Sequence, residues 1–310
     1  MPRSESPQPG YVLAIDFGGT KIAVGSVRLD GEVVLSDRIE THAELGPAQA
    51  VERALATAER IDASTPGDCV GAGAVSPGII EDDGVQLTPN LPGWDRLTLP
   101  ALLRDGLGVA SVAVANDVNA AALAETRWGA LADTEVGLFV SLGTGVKAGL
   151  VIGGHVFEGA HGAAGEIGYS LRDAADGAGF AAGHAPLEEF VGGRALGERA
   201  SALLGGPLSA ADVFSHPGLP PDFLDEWLAE LSMHVANLAI AIDPERIAVG
   251  GGLMAHAERI LPRLRDRVRA VVPFPPDVVP ARFLHDAALR GAAALAIDAV
   301  SRAPIEEVAS

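Results

Sequence analysis

The sequence predicts an α/β protein made of two related domains. Short apolar runs alternate with stretches of helical spacing, the pattern of sheets covered by helices. One arrangement (strand, glycine turn, strand, turn, strand) occurs at Tyr11 to Val34 and again at Val136 to Phe157. Laid over each other, the two glycine turns coincide at an offset of ~125 residues, a domain-sized period rather than that of a solenoid. The 310 residues suffice for two domains at ~150 residues each. A content of 48 % hydrophobic and 20 % charged residues excludes global disorder.

In the first copy, Val12-Leu13-Ala14-Ile15 is an apolar run ending at Asp16. Gly18-Gly19-Thr20 turns the chain, Ile22 to Arg28 returns, and Asp30-Gly31 leads into a third strand from Glu32. Pro47 to Ile61 puts Val51, Leu55, Ala58 and Ile61 on one helical face. Cys69 to Val75 reads as a strand, Pro100 to Leu107 as a short helix and Val109 to Ala115 as a buried strand. Asn116 then opens a helix to about Trp128. The second copy runs from the strand Val136 to Val140 through Ser141-Leu142-Gly143-Thr144-Gly145 to a return strand, Ala148 to Ile152. Gly159 to Gly183 has little periodicity and reads as loop. Pro186 to Leu204 and Pro220 to Ile242 read as helices, and Ile247 to Val249 as a strand into Gly250-Gly251-Gly252. Leu253 to Ala270 is amphipathic, Pro280 to Phe283 is a candidate strand, and Asp286 to Arg302 is a closing helix. The expected division is a disordered segment 1–10, an N-terminal domain 11–125 and a C-terminal domain 126–310. The last helix, about 286–302, is a candidate to pack back on the N-terminal domain.

Twenty-two Lys and Arg against 41 Asp and Glu give a net charge of −19. Such a balance repels phosphate backbones, so nucleic acid and anionic membranes are poor partners. A small anion needs a local device such as glycine-lined amides or a metal ion. The single cysteine, Cys69, excludes an intrachain disulfide and a Cys-rich metal site, and fits a reducing cytoplasm. Met1 to Gly10 lacks the apolar stretch of a signal peptide. Mean hydropathy is +0.26, yet the apolar stretch Val136 to Val156 is broken by glycines and Lys147 and does not make a ~20-residue membrane span.

In Asp16-Phe17-Gly18-Gly19-Thr20-Lys21 the glycines let backbone N–H groups approach an anion, and Thr20 and Lys21 add donors. A strand follows, so this is not a nucleotide-binding P-loop. Alone it is as well read as a plain hairpin. The second turn, Gly143-Thr144-Gly145, favours a pair of hairpins that clasp a polyphosphate. Asn116-Asp117 follows a buried strand, where polar side chains of parallel sheets meet ligands. Asn and Asp also make ordinary helix caps. A carboxylate there could take a hydroxyl proton during phosphoryl transfer. Glu166 and Glu188, beside glycine-rich loops, could bind sugar hydroxyls or merely complement a helix N-terminus. Gly250-Gly251-Gly252 could admit an adenine ring or a phosphate, or be a tight turn.

Taken together, these segments resemble the ROK family of sugar kinases and sugar-responsive repressors, within the actin-like ATPase superfamily. The resemblance covers about residues 11–300, with the pieces in the family's order. Asp16 to Lys21 resembles its first phosphate motif. Ser76-Pro77-Gly78 and Asn90-Leu91-Pro92-Gly93-Trp94 resemble its sugar-side loop. Asn116 to Ala121 resembles the start of its catalytic helix, and Ser141 to Gly145 its second phosphate motif. Gly165-Glu166-Ile167-Gly168 and Leu187-Glu188 resemble two further sugar-binding segments. Gly250 to Gly252 resembles its nucleotide-side turn. The resemblance implies two actin-like, RNase H-like ATPase domains with an interdomain cleft. It implies ATP-dependent phosphorylation of a hexose 6-hydroxyl, with Asp117 as general base. Pro77, Gly78, Asn90, Asn116, Glu166, Tyr169 and Glu188 would face the sugar. Gly18, Gly19, Thr20, Lys21, Gly143, Thr144, Gly145, Gly251 and Gly252 would hold ATP, and Asp16 would position Mg²⁺ through water. A cytoplasmic homodimer is implied as well.

The sequence departs from that family at two places. Many members bind zinc through one His and three Cys. Here those positions carry Tyr169, Gly179, Ala181 and Pro186, so no zinc is expected. In that family the His also touches the sugar near C1 and C2, where Tyr169 offers one hydroxyl donor of different reach instead. Lys147 stands where a small glycine is usual, and could contact a phosphate or lie on the strand surface. The chain reaches its first strand by Tyr11, with no room before it for a repressor's helix-turn-helix. Two alternatives stay open: a catalytically silent sugar sensor, and a polyphosphate-dependent hexokinase.

Overall fold

The computed structural model describes residues 10–81, 84–86, 93–177 and 179–302. The chain divides into two compact units at Ala124/Glu125 and at His285/Asp286, so that the C-terminal stretch belongs with the N-terminal unit.

Unit 1 opens with β1 (Tyr11–Phe17), β2 (Lys21–Arg28) and β3 (Val33–Glu40). Then come α1 (Pro47–Ser64), β4 (Cys69–Ser76), the small ladder β5 (Ile79–Glu81) and β6 (Gly84–Gln86), α2 (Leu99–Leu107), β7 (Val112–Asn116) and α3 (Asp117–Trp128), whose last turn crosses into unit 2. The sheet order is β3-β2-β1-β4-β7. The three chain-consecutive strands are antiparallel, whereas β4 and β7 join in parallel through helical crossovers. β1 has five fully buried apolar residues in succession, the signature of a strand covered on both faces. Its side chains pack with Ala54, Ala58, Trp94 and Leu103 into one core.

Unit 2 repeats the arrangement. β8 (Val136–Leu142), β9 (Val146–Ile152) and β10 (His155–Phe157) precede α4 (Glu188–Val191), α5 (Gly193–Leu204), α6 (Ala210–Val213) and α7 (Phe223–Ile242). β11 (Arg246–Gly250), α8 (Ala257–Val271) and β12 (Asp277–Pro280) complete it. The order β10-β9-β8-β11-β12 and the strand directions match those of the first sheet, as the internal repeat predicts. A separate core centres on Leu138, Leu142, Leu187, Trp227 and Leu264.

The last helix, α9 (Ala287–Arg302), lies in unit 1 against β4, β1 and β7. Small residues make that approach close. A Cβ on Gly73 would stand 1.9 Å from the Ala292 carbonyl oxygen, and one on Gly291 would stand 2.2 Å from that of Ala120.

Three sequence readings are corrected, and one element was not read at all. The β5–β6 ladder is too short to give a periodic signal. The helix expected over Pro186 to Leu204 is interrupted at Gly192, whose ψ of 145° is extended. The segment before α8 is a 3₁₀ turn, Gly252–His256. The last strand of unit 2 is Asp277–Pro280 rather than Pro280 to Phe283. Beyond Pro280, the N–H groups of Arg282 and Phe283 turn to the buried Glu125 carboxylate, at 3.1 and 2.7 Å, instead of to a neighbouring strand.

Candidate functional site

In unit 1 the first glycine turn closes through the Gly18 N–H donating to the Lys21 carbonyl (3.0 Å). The buried Thr41 holds it from below. Its N–H donates to the Thr20 carbonyl (2.7 Å) and its hydroxyl to the Gly18 carbonyl (2.6 Å). The Arg53 guanidinium in turn donates to the Thr41 carbonyl. Lys21 is exposed and 3.9 Å from Glu40. Phe17, just before the turn, packs edge-on against the buried Trp94, ring centroids 5.2 Å apart.

β1 and β7 run parallel on either side of β4, so their carboxyl ends lie at one edge of the sheet, where α/β folds bind ligands. Asp16 stands at one such end and Asp117 at the other. The Asp16 carboxyl is pushed up to about 7, first by burial and then by the negative charge of Asp117, with Arg38 opposing. Two carboxylates near enough to repel each other are a place for a divalent cation. Asp117 begins α3, with Oδ1 accepting from the Val118 N–H (2.9 Å).

Asn116 does cap that helix. Its Oδ1 accepts from the N–H groups of Val118 (2.9 Å) and Asn119 (3.2 Å). Its Nδ2 donates to the Gly78 carbonyl (2.7 Å), tying the Pro77-Gly78 turn to the start of α3. One amide hydrogen remains for a ligand. Gly78 has φ 98°, the left-handed region that suits glycine. Asn90 lies outside the described residues.

In unit 2 the second turn closes one residue tighter, with the Gly143 N–H donating to the Gly145 carbonyl (3.0 Å). The first N–H groups of α5, from Gly193 and Arg194, donate to the carbonyls of Gly143 (2.9 Å) and Thr144 (3.0 Å). Gly143, Thr144 and Gly252 line one cavity of about 1030 Å³ together with Gly193, Glu198 and Leu208. Gly251, φ 90°, brings the β11 turn against β8: a Cβ there would stand 2.4 Å from the Leu142 carbonyl oxygen. Gly145 faces elsewhere, against the Glu188 carboxylate, which accepts from the Val146 N–H (3.1 Å).

Glu166, Tyr169 and Glu188 come together. Burial pushes the Tyr169 hydroxyl above its ordinary value, and the charges of Glu166 and Glu188 add to the effect while Lys147 opposes it. Tyr169 therefore stays protonated and keeps a hydrogen to donate. Lys147 Nζ lies 2.8 Å from Glu166 Oε1, and both side chains are largely withdrawn from water. Lys147, on the strand beside the second turn, is thus the partner of Glu166, which neither sequence reading of it had identified.

Sequence reasoning missed Thr41 and the 193–211 wall of the cavity. No local motif marks Thr41, which the β2–β3 hairpin carries to the turn. The pair Gly192-Gly193 inside a helical pattern was a legible break.

Neither Tyr169, Gly179, Ala181 nor Pro186 offers a thiolate or an imidazole to a zinc ion. Among the described residues, no group of three or more His, Cys, Asp or Glu is arranged to hold a metal. Among the same residues, no helix is long and apolar enough to cross a membrane.

The sequence matches the ROK family model over residues 12–299. It is 30 % identical over 286 residues to a glucokinase of Halalkalibacterium halodurans, covering 84 % of this chain and 86 % of the relative. It is 32 % identical over 305 residues to a kanosamine kinase of Amycolatopsis mediterranei, covering 92 % and 96 %. A ROK family glucokinase structure from Streptomyces griseus, in complex with glucose and AMPPNP, superposes with a TM-score of 0.78. That match has 28 % identity and covers 93 % of this chain and all of the other.

Proposed function

From the premise that the chain belongs to the ROK family and is a sugar kinase, we propose that it moves the γ-phosphoryl group of ATP to the 6-hydroxyl of a hexose. The substrate class is glucose or a close analogue such as an amino- or N-acetyl-hexosamine. The observation that carries this reading is the pair Asp16 and Asp117 at the carboxyl ends of β1 and β7, close enough that the Asp117 charge adds to burial in raising the Asp16 carboxyl.

Asp117 is the general base. Its carboxylate takes the proton from O6 as that oxygen bonds to the γ-phosphorus, the bond to the bridging oxygen breaks, and ADP leaves. Asp16 would hold a Mg²⁺ ion, which would supply positive charge to neutralise the phosphates. The turns Gly18-Gly19-Thr20-Lys21 and Gly143-Thr144-Gly145 supply backbone N–H groups to the phosphates. Asn116, Glu166, Tyr169 and Glu188 take sugar hydroxyls, joined by Pro77, Gly78 and Asn90. Glu166 and Glu188 accept, while the protonated Tyr169 donates, a mixed set suited to hydroxyl groups that do both. The cavity behind Thr144 and Gly252 favours a nucleotide over polyphosphate, because a bare phosphate chain has no base or ribose to fill it. The free, half-buried Cys69 and the family resemblance support a cytoplasmic location, and the resemblance alone supports a homodimer.

The test is ATP turnover against a panel of hexoses and hexosamines, with Asp117→Asn as the blank. Asp117→Asn is expected to lose about 10²–10⁴-fold in kcat while sugar binding survives. Near-normal turnover in that variant removes Asp117 as the base. Sugar binding without turnover in the unaltered protein favours the silent sensor.

A further inference from the structure

Unit 2 holds a charged aromatic cluster that none of the preceding roles uses. The guanidinium carbons of Arg172 and Arg199 each lie 3.7 Å from the centre of the Phe190 ring. One ring face has room for one guanidinium at that distance, so the two cations occupy opposite faces. Arg172 Nε donates to Glu230 Oε1 on α7 (2.9 Å). His234, one turn further, places Nε2 3.5 Å from the same oxygen. Arg199 donates from Nη1 to the Phe190 carbonyl (3.1 Å). Burial and the charge of Arg172 depress Arg199, and Glu226 opposes them.

The cluster stands where the loop needs a fastening. Between Tyr169 and Leu187 the described chain makes one short 3₁₀ turn, Phe180–Ala182, and no longer element. Loops of that length without regular structure usually need ties or remain mobile. Arg172 lies three residues beyond Tyr169, and Phe190 two beyond Glu188. Glu230 sits on α7 between the buried Trp227 and Leu231. The stack therefore joins the Glu166–Tyr169 segment and the Glu188 segment to each other and to the core of unit 2.

We infer that the Arg172–Phe190–Arg199 stack, anchored on Glu230, holds the Glu166–Tyr169 and Glu188 segments in register through side chains alone. Arg172 is then a positioning residue for the sugar. Its flat guanidinium can stack on the ring and bond to Glu230 at once in a fixed geometry, which a compact ammonium on a flexible stem does less well. The assignment of these segments to a sugar rests on the proposed kinase reading.

The experiment measures sugar KM, ATP KM and kcat for Arg172→Met, Arg172→Lys, Phe190→Leu and Glu230→Gln. It also follows backbone hydrogen exchange over residues 166–190 in each protein without substrates. Arg172→Met is expected to raise sugar KM about tenfold, to move kcat and ATP KM by no more than about twofold, and to speed exchange in that segment alone. Arg172→Lys should fall between it and the unaltered protein. Chelation by EDTA followed by excess Mg²⁺ should leave sugar KM and exchange unchanged. The inference is overturned if exchange and sugar KM are unchanged in Arg172→Met. It is also overturned if kcat and both KM values worsen together with global exchange, or if zinc restores a loss caused by EDTA. Absence of any sugar turnover in the unaltered protein would count against the kinase reading alone, since the exchange measurement still decides the clamp.

Discussion

Asp16 shows how the burial of one carboxyl sets a pH dependence for the whole fold. Its carboxyl is held at about 7 in the fold against an ordinary 3.8, chiefly by burial. The folded chain therefore keeps a proton that the unfolded chain releases between about pH 4 and 7. Stability falls as pH rises through that window, and above it the ionised group costs on the order of 4 kcal/mol. Asp16→Asn removes the cost, because the amide matches the shape of the neutral acid. In metal-free buffer the variant should melt higher than the unaltered protein at pH 8, with a gap that shrinks towards pH 5. Adding Mg²⁺ should narrow the gap at pH 8, since a cation there stabilises only the carboxylate. Equal melting temperatures at pH 8 would mean that Asp16 ionises without strain. The same residue was legible in sequence as the end of a buried strand before a glycine turn. Its coupling to Asp117 was not, because a hundred residues separate the two and only the parallel pairing through β4 brings their strand ends together.

At the level of elements, the sequence carried strand order and turn position far better than helix limits. The duplicated strand–turn–strand pattern was readable because buried strands are continuous apolar runs and glycines mark the turns. The break between α4 and α5 was missed, although Gly192-Gly193 signals it, because helical spacing continues on both sides. That break has a purpose in the site. It frees the N–H groups of Gly193 and Arg194 to bind the carbonyls of the second glycine turn. It also places Gly193 so tightly that a Cβ would stand 2.5 Å from the Gly143 carbonyl oxygen. Gly193→Ala must push α5 away from that turn, at a stability cost of about 1–3 kcal/mol. Steady-state kinetics should show ATP KM raised about tenfold and sugar KM raised less, since Glu166 and Tyr169 hang from other contacts while Glu188 touches the turn at Gly145 and Val146. A variant with unaltered ATP KM would separate the α5 N-terminus from nucleotide binding.

Over the whole molecule, the net charge of −19 sets a background against which the site must work. ATP is an anion and approaches an acidic surface, so long-range repulsion lowers its encounter rate. Only short-range devices, such as the backbone N–H groups of the glycine turns and a cation at Asp16, can reverse the sign locally. A neutral hexose meets no such barrier. Salt screens the repulsion over a distance that falls from about 30 Å at 0.01 M to about 8 Å at 0.15 M. Raising KCl across that range at constant free Mg²⁺ should therefore raise kcat/KM for ATP, by about twofold, and leave kcat/KM for a neutral sugar flat. A cationic amino sugar responds in the opposite direction, because the same field attracts it. The salt profile thus reads the charge of each substrate as it arrives and distinguishes an amino-hexose kinase from a glucose kinase by sign. A fall in kcat/KM for ATP with salt would show that positive potential at the site, from groups such as Lys21, Arg38 and Arg194, outweighs the charge of the molecule as a whole.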